Sequence, residues 1–67
     1  MGLVKKRVAL HMKDNTPTIE GLLVGQSRRE FVLISAEILQ DTETTHQLGG
    51  HVRVPRENVY CVQELAR

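Results

Sequence analysis

The sequence predicts an all-β fold: a small, five-stranded, strongly bent antiparallel barrel occupying residues 1–67 as a single domain. Three observations predict it. Short segments alternate apolar and polar residues with a period of two, as half-buried strands do. Clusters of turn formers separate those segments. Five such segments in so short a chain fit a sheet that closes on itself, because closure removes the free edges that an open sheet leaves.

The first segment, Val4 to Met12, places Val8, Leu10 and Met12 on one face and Arg7, Ala9, His11 and Lys13 on the other. Lys13-Asp14-Asn15-Thr16-Pro17 then reverses the chain, since Asp and Asn hydrogen-bond their own backbone and proline cannot donate to a ladder. Thr18 to Gly25 reads as the second strand. Gly21 inside it predicts a bend or a close backbone approach. After the polar connection Gln26 to Arg29, the stretch Glu30 to Leu39 is apolar on both faces, with Phe31 and Leu33 opposed to Val32, Ile34, Ala36 and Ile38. Its Phe, Val and Ile favour a long, bent third strand over a short helix at Ser35 to Leu39.

Gln40 to Gly50 is polar, rich in threonine and closed by Gly49-Gly50, which predicts a long hairpin loop whose ends extend the neighbouring strands. His51 to Val54 alternates again as the fourth strand. Pro55-Arg56-Glu57 breaks the pattern, and Asn58 precedes the last strand, Val59 to Val62. Proline presets φ and asparagine tolerates left-handed geometry, so the corner suits a single 3₁₀ turn. No internal repeat or linker interrupts the chain.

A chain of 67 residues buries only about 60% of the surface it exposes when unfolded. Domains of this size commonly take extra stability from disulfides, metals or neighbouring subunits. Cys61 is the single cysteine, which excludes an intramolecular disulfide and fits a reducing compartment or a particle assembled inside a cell. Oligomerisation is the stabiliser that remains. Met1 to Arg7 lacks the apolar stretch of a signal peptide. Apolar runs such as Phe31 to Ile34 are too short to span a bilayer, so no membrane partner is expected and the location is cytoplasmic or a virion. A net charge of +1 falls short of the strongly basic balance that phosphate contacts alone require.

Lys13-Asp14-Asn15 ends the first strand, Gly21-Leu22-Leu23 lies in the second, Leu33-Ile34-Ser35-Ala36 runs through the third, and Val52-Arg53-Val54-Pro55-Arg56-Glu57-Asn58-Val59 follows as a valine-rich strand, a short turn and Asn-Val. In that order and spacing they resemble the Sm-like family of small SH3-type barrels, over nearly all of the chain after Lys6. The resemblance implies assembly: such barrels often form rings by pairing the fourth strand of one copy with the fifth of the next, and main-chain pairing needs no particular side chain. The implied edges here hold Val52, Arg53 and Val54 on one side and Val59, Tyr60 and Val62 on the other. Family members that bind RNA carry an Asp and an Asn after the second strand. Those positions fall on Ser27 and Phe31 here, and the Arg-Gly pair of the last turn is replaced by Pro55-Arg56. The Pro55 to Val59 corner also resembles short barrel proteins of tailed bacteriophages, some of them virion parts at the head, neck or tail.

Lys5, Lys6 and Arg7 with Arg28 and Arg29 form one basic patch for phosphates or an acidic surface if the start of the first strand lies near the second connection. The competing reading is solvated surface charge. His11, His46, His51 and Cys61 are metal-ligand types whose spacing matches no common zinc pattern, so no metal or cofactor is expected. Cys61 reads as a small packing residue. Ser35 beside a histidine is an imaginable nucleophile, and no nucleophile elbow, phosphate loop or carboxylate pair accompanies it. No enzymatic activity is expected. Tyr60 either faces outward beside Val62 to serve an interface or caps the core with its ring.

The function expected from these features is that of a non-enzymatic structural subunit that partners copies of itself or other subunits of a larger assembly. The alternative is an Sm-like nucleic-acid binder of relaxed sequence preference.

Overall fold

A computed structural model describes residues 6–40 and 44–65. They form β1 (Lys6–Met12), β2 (Thr18–Gln26), β3 (Glu30–Leu39), β4 (Thr45–Leu48), β5 (Val52–Pro55), a 3₁₀ turn (Arg56–Asn58) and β6 (Val59–Glu64). The fold is all-β. One antiparallel sheet runs β4-β3-β2-β1-β6, with β5 also paired to β3.

Two features differ from the five-stranded closed barrel that the pattern predicts. There are six strands, because the arm returning from β3 is broken at Gly49 to His51 into β4 and β5, and both pieces line the same edge of β3. Gly50 has φ +70° in that break, a left-handed conformation that glycine adopts without penalty. The hydrogen-bonded ladder is also open. β6 pairs with β1, and among the described residues no strand pairs with its other edge.

The bend of β3 has a local cause in Ser35, whose φ is +50°. At that point three steps along β3 (Ile34 to Glu37) face two along β2 (Leu22 to Glu20). The extra residue kinks the strand and shifts its facing by one. Phe31, Leu33 and Ala36 therefore all reach one core, where simple alternation sets Ala36 on the opposite face from Phe31. Val32 and Ile34 on the other side are half-buried rather than covered.

The core joins Val8 and Leu10 of β1, Phe31, Leu33 and Ala36 of β3, and Val54 of β5, with Met12, Ile19, Leu23, Leu48, Val52 and Val59 packed around them. Gly21 admits the close approach of two strands. A Cβ there would lie 3.1 Å from the Ala36 Cα and 3.1 Å from the Ile34 carbonyl oxygen. The β1–β2 reversal is carried by Asp14 (φ 61°) and Asn15 (φ 60°), with the Thr16 N–H donating to the Lys13 carbonyl. Two consecutive left-handed residues make the turn whose twist matches that of a hairpin.

Candidate functional site: an open sheet edge beside an apolar cleft

The direction of each main-chain group along the two outer strands follows from the ladders. In an antiparallel pair, a residue that bonds its neighbour directs both N–H and C=O to that side, and the next residue directs both away. The Leu65 N–H donates to the Arg7 carbonyl at 2.9 Å, which fixes the phase of the β1–β6 ladder. Cys61 and Gln63 thus bond to β1. Val62 and Glu64 point their backbone groups outward, and Tyr60 lies at the register shift where Met12 pairs with Val59.

Val62 and Glu64 sit opposite Leu10 and Val8, so the residues with outward backbone carry their side chains on the core-facing side of the sheet. Among the described residues, no further strand covers them. Tyr60 is 77% exposed and Val62 40%, the two large apolar side chains most open to solvent among the described residues. Tyr60 therefore does not cap the core. Beside Val62 lies a cleft of about 430 Å³, walled by Val8, Leu23 and Phe31 and bordered by Lys6, Glu64 and Arg56.

Arg56 fixes one wall of that cleft. Its guanidinium lies 4.2 Å from the centre of the Phe31 ring, donates to the Ser27 carbonyl at 2.9 Å and to Gln26 Oε1 at 3.0 Å, and its backbone N–H donates to the Arg29 carbonyl at 2.8 Å. A cation held over a ring and hydrogen-bonded to the adjoining turn locks the 3₁₀ corner onto the β2–β3 connection. Ser27 has its own task there: its Oγ accepts from the N–H groups of Arg29 and Glu30. Phe31 is a core residue. Ser27 thus serves as a turn hydroxyl and Phe31 as a packed ring.

The opposite edge is different. The Arg56 N–H bond to Arg29 sets the phase of β5, so Val52 and Val54 bond to β3 and only Arg53 and Pro55 point outward. Pro55 has no N–H to offer. Val54 is buried, and Arg53 is exposed and ion-paired with Glu30. Along β4 the outward positions are Thr45 and Gln47, since the Gln40 N–H donates to the Thr44 carbonyl and places Ile38 and His46 in the bonded set.

The basic residues are distributed, not pooled. Lys5 lies outside the described residues. Lys6 pairs with Glu64 at 3.2 Å on the core-facing side of β1, whereas Arg7, on the other side, reaches Glu20 at 3.3 Å and Glu37 at 3.8 Å. Arg28 and Arg29 are exposed in the β2–β3 turn, without a carboxylate partner among the described residues. His11 is bonded to Gln63 at 2.8 Å on the outer face, beside Cys61 across the ladder. Among the described residues, no group of three metal-ligand side chains gathers. No helix is long and apolar enough to cross a membrane.

Sequence reasoning picked out Tyr60 and Val62, but not the cleft beside them or the clamp role of Arg56. The spacing of Phe31 and Arg56 carries no signal of their contact, because it arises only when the 3₁₀ corner folds back over β3. No protein-family model matches the chain, and no curated protein matches it.

Proposed function

We propose that this chain is a non-enzymatic assembly subunit: an Sm-like small barrel that self-associates or docks into a larger particle, such as the virion of a tailed phage. One observation carries the reading. Among the described residues no strand pairs with the second edge of β6, which lies next to exposed Tyr60 and Val62 and an apolar cleft, and the sheet is not closed. Unpaired edges invite strand addition, which supplies affinity through main-chain bonds. The five-stranded barrel of the Sm-like pattern is, on this reading, completed by a neighbour.

Arg28 and Arg29, exposed and without carboxylate partners among the described residues, support the second reading, a nucleic-acid binder. Native mass measurement with and without RNA, repeated across a salt series, separates the two. Assemblies larger than one chain that persist at high salt support the first. RNA binding that weakens steeply with salt and is lost on charge reversal of Arg28 and Arg29 supports the second. A monomer that ignores RNA overturns both self-assembly and nucleic-acid binding.

A further inference from the structure

We infer that the cleft beside β6 receives an extended, acidic segment of a different protein, added to β6 as a strand; this names the partner in the docking form of the assembly reading above and rests on that reading. Val62 and Glu64 direct their main-chain groups outward and carry their side chains on the core-facing side. A segment bonded to them sets every second side chain on that same side, next to the cleft. Val8, Leu23 and Phe31 wall the cleft, which suits an apolar residue at those positions of the segment.

Charge sets the sign of the partner. On the border of the cleft, Glu64 is taken by Lys6 at 3.2 Å. The Arg56 side chain, on the same border, has the Ser27 carbonyl, Gln26 Oε1 and the Phe31 ring as partners and no carboxylate among the described residues. The turn joined to Arg56 through the Ser27 and Arg29 carbonyls carries Arg28 and Arg29, which are exposed and likewise without a carboxylate among the described residues. Glu30, at the end of that turn, is taken by Arg53, and Glu57 in the 3₁₀ turn does not line the cleft. Glu20 and Glu37 lie with Arg7 on the other side of the sheet. Arg56, Arg28 and Arg29 thus stand at one end of an apolar cleft with no protein carboxylate to meet them among the described residues.

The β5 edge of a second copy suits this site less well. It presents Arg53 and Pro55 outward, a further cation and a residue with no N–H to donate. Like charges brought together at an interface oppose binding. A nucleic acid meets the same cations but forms no ladder with β6. An acidic strand meets the cations, fills the cleft and supplies the main-chain groups.

The test uses the full chain and short fluorescent peptides followed by anisotropy: one alternating glutamate and valine, one alternating lysine and valine, and the first again with its backbone amides N-methylated. The glutamate peptide is expected to bind on the order of tenfold more tightly than either of the others, because like charge opposes the lysine peptide and N-methylation removes the N–H groups that bond β6. Arg28→Glu combined with Arg29→Glu is expected to weaken that binding on the order of tenfold and to leave thermal unfolding unchanged, since both side chains are exposed. Equal binding of the three peptides, or no loss on charge reversal, overturns the inference. Binding of oligouridylate in place of the glutamate peptide overturns it in favour of the nucleic-acid reading. Native mass of the chain alone separates the remaining failures: a stable oligomer that takes up no peptide overturns the acidic partner and leaves assembly standing, whereas a monomer that takes up no peptide overturns both.

Discussion

β3 and β6 are both rich in apolar residues, Phe31-Val32-Leu33-Ile34 in one and Val59-Tyr60-Cys61-Val62 in the other, yet their fates are opposite. β3 is paired along both edges, and three of its side chains are in the core. β6 is paired along one edge, and all but Val59 of its residues are exposed. Burial of a strand residue depends on what lies across the sheet from it as much as on its own apolarity. β3 is the hub that three other strands need.

The sharpest way to break this contrast is truncation in the two strands. Leu33→Ala is expected to cost about 2–5 kcal/mol in urea unfolding, since Leu33 is fully enclosed, whereas Tyr60→Ala should stay within about 0.5 kcal/mol in the dilute monomer. Equal losses would mean that β6 is covered within one chain. Gly21→Ala comes next, at about 1–3 kcal/mol, because the new methyl must push apart β2 and β3 at the Ala36 and Ile34 backbone. A neutral result would show that the two strands separate freely at that crossing.

Ser35→Val is expected to cost about 1–2 kcal/mol, since a β-branched residue fits poorly at φ +50°. If stability were unchanged, the kink of β3 would not depend on a left-handed residue there. The smallest effect belongs to Lys6→Met. The Lys6 and Glu64 side chains are 54% and 68% exposed, and such pairs contribute about 0–1 kcal/mol, further reduced by salt. A larger loss that survives high salt would tie the start of β1 to β6 more firmly than an exposed ion pair can.

Much of the fold was legible residue by residue. The alternation of Val8, Leu10 and Met12 marked the core side of β1, Asp14 and Asn15 marked the reversal, Gly21 marked a close crossing, and Pro55 to Asn58 marked the 3₁₀ corner. The division of the return arm was not legible, because Thr45-His46-Gln47-Leu48 has too few apolar residues to show a period. Ala36 was assigned to the wrong side for a related reason: one left-handed residue at Ser35 shifts every later side chain by a face, and serine gives no warning of it.

The site was legible in part. Tyr60 and Val62 stand out in sequence as residues with something to offer a partner. That Val62 shares an outward edge with a cleft depends on the phase of the β1–β6 ladder and on the sheet remaining open, both of which are long-range outcomes.

Local sequence by itself determined that the chain is all-β, where it turns and which side of β1 faces inward. Those properties follow from the two-residue period and from the backbone preferences of Asp, Asn, Gly and Pro, which act over a few residues. Only the tertiary structure decided which edge is blunted and which is left open. That depends on hydrogen-bond phase between strands distant in the chain, and a shift of one residue would have turned Val62 outward and left the cleft without its neighbour.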